Sequence, residues 1–154
     1  RLATLFQMTY PGAPCIYYGD EIGMEGNHDP DCRRGFPWDK HRWDRELWEL
    51  VRHCIVLRKA HPALRRGDFV WLLAEHGVVA YLRRLGSEAL LIVLNSTPAP
   101  LTLDLPVEGH LAEGARLREW WTGAPMRVQG NRLPAVRIPA RPGAVFVAEK
   151  EPGP

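Results

Sequence analysis

The hydrophobic pattern of the chain changes period once, at Arg65-Arg66-Gly67, and that change limits the folds open to it. Before it, apolar residues recur at helical spacing; after it, they gather in short runs. The runs cover 69–73, 78–82, 89–94, 101–105, 117–121, 136–138 and 144–147. Turn formers stand between them: Glu75-His76-Gly77, Gly86-Ser87, Pro98-Ala99-Pro100, Thr122-Gly123, Gly130-Asn131 and Arg141-Pro142-Gly143. Leu101, Leu103 and Leu105 alternate with more polar neighbours, as on a half-buried strand. Several short strands at this spacing predict an antiparallel sandwich or barrel over 65–149. With 154 residues, the chain is long enough to bury a core.

Ahead of that change, two helices flank a loop. Leu2, Leu5, Phe6 and Thr9 lie on one helical stripe, and no cap residue precedes them. A helix that begins in mid-turn is expected of a chain cut from something larger. Pro11-Gly12 stops it, because proline lacks an amide donor and glycine accepts strained dihedrals. Cys15-Ile16-Tyr17-Tyr18 is a nearly continuous apolar run, as expected of a strand buried on both faces of a parallel sheet. The stretch beyond it is glycine-punctuated and dense in charge, like the functional loops at the carboxyl end of a barrel strand. The second helix has clear start and stop signals. Asp44 is placed to cap it, Glu46 suits the positive end of its dipole, and Trp43 and Trp48 are spaced for a hydrophobic staple. Leu47, Leu50, Val51, Cys54, Leu57 and Arg58 form its stripe, Ile55 widens it, and His61-Pro62 ends the run.

The segment Pro11-Gly12-Ala13-Pro14-Cys15-Ile16-Tyr17-Tyr18-Gly19-Asp20-Glu21-Ile22-Gly23 resembles the last barrel strand of the α-amylase superfamily of glycoside hydrolases. Its continuation, Asn27-His28-Asp29-Pro30-Asp31-Cys32-Arg33-Arg34 with Pro37-Trp38-Asp39, is similar to the neopullulanase, cyclomaltodextrinase and maltogenic amylase branch. The likeness runs through Leu57-Arg58-Lys59 and Pro62-Ala63-Leu64, then fades into a generic β-rich tail. The resemblance implies an α+β fragment. Residues 1–64 would be the C-terminal end of a TIM (β/α)8 barrel, with its eighth strand and last helix; 65–149 would be an all-β antiparallel sandwich, and 150–154 a frayed tail. It also implies a parent enzyme that hydrolyses α-1,4 (and α-1,6) links of cyclodextrin, pullulan or malto-oligosaccharide with retention.

Retaining hydrolysis uses two carboxyl groups about 5 Å apart. In the resembling enzymes the three acids sit on barrel strands four, five and seven, all of which would precede this chain. The chain alone is therefore expected to be inactive, with no catalytic residue of its own. Asp20 and Glu21 do not replace them, because consecutive residues of an extended segment point in opposite directions. They read as a hydrogen-bonded strand end. Asn27-His28-Asp29 mimics the triplet that marks strand seven in the superfamily, but it follows the Tyr-Tyr-Gly-Asp-Glu segment and so stands in the wrong order. What the resemblance does imply is sugar binding: Asp29 and Arg33 match positions that line donor-side subsites. The competing reading is an ordinary surface ion pair, with Asp29 capping the turn before Pro30. Tyr18 reads as a barrel-core ring, with bordering the pocket as the alternative. No metal site is expected from His28, Asp29, Asp31 and Cys32, whose hard and soft ligands have no standard spacing, and no cofactor is expected. Trp120-Trp121 reads as sheet core and rim, with stacking on a glucose face as the functional alternative. His53, His76 and His110 read as incidental.

Charge and cysteine usage narrow the rest. The 20 basic and 18 acidic residues leave a formal charge of +2, which is no footprint for nucleic acid. No apolar run approaches the roughly 20 residues of a membrane-spanning helix. Three scattered cysteines, Cys15, Cys32 and Cys54, argue against a disulfide framework and for a reducing, cytoplasmic setting. An unpaired strand and an exposed helix stripe predict self-association, or a companion holding the rest of the barrel. Two other classes remain open at this point: a stand-alone carbohydrate-binding sandwich and a non-catalytic structural remnant.

Overall fold

A computed structural model describes residues 1–149, and in it the change of period at 65–67 separates helices from strands. The frayed tail expected over 150–154 lies outside the described residues. Helix α1 spans Leu2–Thr9, α2 Arg45–Ala60 and α3 Pro62–Arg66. Asp44 Oδ1 accepts the Leu47 amide at 2.9 Å, as its position before α2 predicts. That amide first, and the Arg1 guanidinium after it, hold the Asp44 carboxyl below its ordinary value. The Trp43 and Trp48 rings meet across the cap with centroids 6.1 Å apart. Pro62 does not end the helical structure. It starts α3 at its first position, where a missing N–H costs nothing, and the Ala63 amide donates to Glu88 Oε2 at 2.7 Å.

The strands are β1 Asp68–Glu75, β2 Val78–Leu85, β3 Glu88–Asn95, β4 Leu101–Pro106, β5 Arg116–Glu119, β6 Pro125–Arg127, β7 Arg132–Ile138 and β8 Gly143–Ala148. Six of them form one antiparallel sheet in the order β1-β2-β3-β8-β5-β6, and β4 pairs with β7 in a second sheet. One face of the large sheet presents Ala80, Leu82, Leu91, Val93 and Phe146 to Leu105, Leu133, Val136 and Ile138 of the small sheet. Its other face presents Tyr81, Leu90, Ile92 and Val145 to Leu5, Met8, Cys54, Leu57 and Leu64 of the helices. The large sheet is thus the middle of three layers, which explains why β3 reads as continuous apolar sequence although its pairing is antiparallel. Each fully buried Leu or Ile there contributes roughly 1.5–3 kcal/mol. Gly143 permits the close pairing of β8 with β3: its φ is +126°, and a Cβ there would run into the Val93 carbonyl.

Three expectations need correction. The run over 117–121 stops as a strand at Glu119, so Trp120 and Trp121 lie on the turn between β5 and β6, and β6 itself was not foreseen from the pattern. The run over 136–138 extends back to Arg132. Residues 15–18 do not form a buried strand. The backbone there belongs to no β-ladder, and Ile16, Tyr17 and Tyr18 stay exposed. A ladder requires a neighbour, and among the described residues none runs beside this segment. What the structure establishes is an antiparallel β domain with helices packed on one face.

Two buried arginines fasten that helical layer. Arg83 on β2 donates to the carbonyls of Thr9 at 2.7 Å and Gly67 at 2.9 Å. Arg58 on α2 donates to the carbonyls of Met8 at 2.9 Å, Tyr10 at 3.4 Å and Gly12. The carbonyls of Met8, Thr9, Tyr10 and Gly12 lie at or just beyond the C-terminal end of α1, and that of Gly67 just beyond α3, where the helix dipoles favour positive charge. Burial first, and then a neighbouring arginine, pulls both guanidiniums below their ordinary value. Tyr81 completes the junction: its hydroxyl lies 2.6 Å from Thr9 Oγ1, and burial pushes the phenol up to about 12.

Candidate functional site: the charged loop before helix α2

The loop between α1 and α2 is shaped by its glycines and by carboxylates turned on their own backbone. Gly19 and Gly23 bracket a 3-10 turn at Asp20–Ile22, both with positive φ, 96° and 72°. Asp20 Oδ2 accepts the Tyr17 amide at 3.2 Å, and Glu21 Oε2 accepts the Gly19 amide at 2.8 Å. Both carboxylates are hydrogen-bonded, as expected, but they hold a turn and not the end of a strand. Ile22 is buried, and its carbonyl accepts the Asp44 amide at 3.0 Å, tying the loop to the start of α2.

From that anchor the chain runs out to a second 3-10 turn at Asp31–Arg33. It brings together the two residues singled out from sequence. Arg33 Nη2 lies 2.7 Å from Asp29 Oδ2, with the two side chains 65% and 60% exposed. A second pair stands beside it, Arg34 Nε to Asp31 Oδ1 at 2.9 Å, and Asp31 Oδ2 also takes the Asn27 amide at 3.1 Å. The Tyr18 hydroxyl donates to the Arg34 carbonyl at 3.0 Å and so pins the far side of the loop to its beginning. Desolvation first, and then Tyr17 beside it, raises the Tyr18 phenol above its ordinary value. Tyr18 is therefore a loop brace with an exposed ring. Nothing in its sequence neighbourhood signals that partnership, because Arg34 lies 16 residues away.

The loop returns through an aromatic cluster. Phe36 packs edge-on to Trp38 and Trp43, with centroids 4.9 Å and 5.9 Å away, and Trp43 Nε1 donates to the Pro37 carbonyl at 2.7 Å. Trp38 is 82% exposed, an apolar ring on the same loop as the ion pairs. The arrangement offers carboxylate acceptors, guanidinium donors and an aromatic face, which suits a polyhydroxylated ligand. It does not assemble a metal centre: among the described residues no three His, Cys, Asp or Glu side chains converge. No helix among them is long and apolar enough to cross a membrane. A larger concavity, of about 970 Å³, lies elsewhere, against the sandwich.

Comparison with known proteins places this geometry. Residues 69–148 match the family described as neopullulanase-like, C-terminal domain. A cyclomaltodextrinase from Geobacillus thermopakistaniensis (strain MAS1) is 37% identical over 151 residues, which are 97% of this chain and 25% of that protein. Neopullulanase 2 of Thermoactinomyces vulgaris is 42% identical over 109 residues, 70% of this chain and 19% of that protein. The crystal structure of the α-amylase from Geobacillus thermoleovorans, complexed with acarbose, superposes with a TM-score of 0.88 at 28% identity, over 98% of this chain and 33% of that one. The chain spans about a quarter of the length of the cyclomaltodextrinase it matches.

Proposed function

This chain belongs to the neopullulanase-like C-terminal domain family, and on that premise we propose that it is the C-terminal portion of an α-glucan hydrolase. In this reading residues 1–64 close a (β/α)8 barrel and the sandwich follows it. The observation that carries the proposal is the reach of the cyclomaltodextrinase match, which crosses loop and sandwich alike over 97% of the chain yet takes up 25% of that protein. The substrates would be cyclodextrin, pullulan or malto-oligosaccharide, cleaved with retention at α-1,4 and α-1,6 links. The reacting carboxyl pair would stand on the remainder of the protein, since Asp20 and Glu21 are engaged by backbone amides here. The isolated chain is inactive on this view.

Asp29 and Arg33 would line the donor-side sugar subsites. An ion pair this exposed adds little stability. Its use lies in presenting an oriented acceptor and oriented donors to vicinal hydroxyls through charge-assisted hydrogen bonds. The test is a chimera in which this chain replaces the matching C-terminal segment of the Geobacillus cyclomaltodextrinase. The chimera is expected to hydrolyse β-cyclodextrin, and Arg33→Ala to lower its kcat/KM about tenfold, or about 1.4 kcal/mol. Sugar release by the isolated chain, or full activity in both Asp29→Ala and Arg33→Ala chimeras, would overturn the reading.

Two further properties follow from it. Phe6, Tyr10, Ile16, Tyr17 and Tyr18 are exposed on α1 and the segment after it, which supports self-association of the isolated chain or capture by a companion carrying the rest of the barrel. A sharp monomer peak in size-exclusion chromatography would count against this. The free thiols of Cys15 and Cys32, both exposed, support a reducing, cytoplasmic setting. Alkylation of the freshly extracted protein should label both without prior reduction.

A further inference from the structure

We propose that the sandwich carries a second α-glucan-binding site, in the cavity of about 970 Å³ bordered by Trp121, Met126, Arg137, Phe146 and Glu119. The choice of ligand rests on the α-glucan reading above; the existence of a site rests on the cavity itself. Its volume falls within the range of small-molecule sites, about 300–1,000 Å³, and no residue of the charged loop lines it.

The turn that carries Trp121 is built around a buried carboxylate. Glu119 is only 8% exposed, and its Oε2 accepts the Trp121 amide at 3.0 Å, the Thr122 amide at 2.5 Å and the Thr122 hydroxyl at 2.6 Å. The same residue's backbone closes the turn, taking the Gly123 amide at 2.9 Å and donating to the Ala124 carbonyl at 2.9 Å. The backbone that carries Trp121 is therefore fixed, and its ring rests partly on the helix-side core, before any ligand arrives, which reduces the ordering cost of binding. Glu119 Oε1 has no hydrogen-bond partner among the described residues, and the residue lines the cavity. The guanidinium of Arg137, exposed on β7, likewise makes no ion pair or hydrogen bond among the described residues, and the residue lines the same space.

The cavity thus offers an indole, a phenyl ring and a thioether, with one open carboxylate oxygen and one open guanidinium. Those charges cancel, which disfavours a strongly ionic ligand such as a sugar phosphate. A purely apolar ligand would leave both groups desolvated without partners. A neutral pyranose satisfies every surface: its C–H face packs on the indole while its hydroxyls donate to the carboxylate and accept from the guanidinium. Trp121 packs partly on the helix-side core and also borders the cavity, where the stacking alternative applies to it, while the Trp120 ring packs on His61 at 5.2 Å.

Isothermal titration of maltoheptaose into the Arg33→Ala chain tests this, because the loop pair is then broken and the Trp121 and Arg137 variants separate sandwich binding from any left on the loop. Binding is expected, and Arg137→Gln is expected to weaken it about tenfold while leaving the circular dichroism and melting profile unchanged. Trp121→Ala should abolish it, and Trp121→Phe should retain part of it. No heat with maltoheptaose, no change in Arg137→Gln, or equal affinity for cellohexaose would overturn the proposal. Greater protection of 119–126 from hydrogen exchange in the sugar-free chimera than in the isolated chain would also overturn it, by showing that other polypeptide fills the cavity. An active chimera without sandwich binding sinks this site alone; sandwich binding with an inactive chimera sinks the hydrolase reading alone.

Discussion

Ile92 and Ile16 are the same residue in two kinds of surroundings. Ile92, at the centre of β3, is fully buried between the large sheet and the helices, while Ile16, in the extended segment after α1, is 37% exposed. Both lie in runs that read as buried strands. The sandwich meets that demand from within, since every apolar face of β2, β3 and β8 finds a partner in the small sheet or the helices. The segment over 15–18 does not: the Tyr17 and Tyr18 rings lean on each other, tilted by 42° with centroids 4.7 Å apart, beside backbone that joins no β-ladder. An apolar run therefore states that a segment needs covering; only the surrounding chain decides whether it is covered.

Substitutions can break or sharpen that contrast. The largest effect is expected from Ile92→Ala, about 2–5 kcal/mol in urea unfolding, because it opens a cavity at full burial. Ile16→Ala in the isolated chain should cost less than about 0.5 kcal/mol. Equal costs would dissolve the comparison. Next is Arg83→Met, which keeps the apolar stem but leaves the Thr9 and Gly67 carbonyls without their charged donor. A loss of about 2–3 kcal/mol is expected, with accelerated hydrogen exchange in α1 ahead of the strands.

Asp44→Ala should cost about 1 kcal/mol through loss of the α2 cap. Its pH dependence has a definite sign. The folded carboxyl titrates below its ordinary value, so its contribution is complete above about pH 4 and disappears as pH falls through the folded value. Wild type and variant should converge in melts at strongly acid pH. The smallest effect belongs to Arg33→Ala, whose partner is similarly exposed: less than about 0.5 kcal/mol of stability, against the roughly tenfold loss of kcat/KM expected in the chimera. A stability loss as large as that of Asp44→Ala would turn the pair into a structural one.

What was readable from sequence was local. Asp44, Trp43 and Trp48 announce the start of α2 because a cap and a staple are made within one turn. The Asp29–Arg33 contact is of the same kind, four residues apart. β1, β2 and β3 are legible because tight turns separate runs of similar length. The α3 helix is hidden because Pro62 serves equally well as a stop or as a first residue. The turn position of Trp120 and Trp121 is hidden because it depends on the Glu119 carboxylate folding back, which no periodicity records. The cavity is invisible for a plainer reason: Leu50, Trp121, Arg137 and Phe146 come from segments far apart in the chain. Arg83 did carry a signal, since it shares a strand face with Tyr81, yet a guanidinium at such a position finds its meaning only once the end of α1 is in place.

The junction at the end of α1 has an outcome for behaviour in acid. Its donors are guanidiniums and its acceptors are peptide oxygens, so neither half gains or loses a proton as a solution is made more acidic. The Asp44 carboxylate that caps α2 is switched off as the pH falls through its lowered value. Souring the solution should therefore loosen the front of α2 first, while the guanidinium bolt at the end of α1 stays shut.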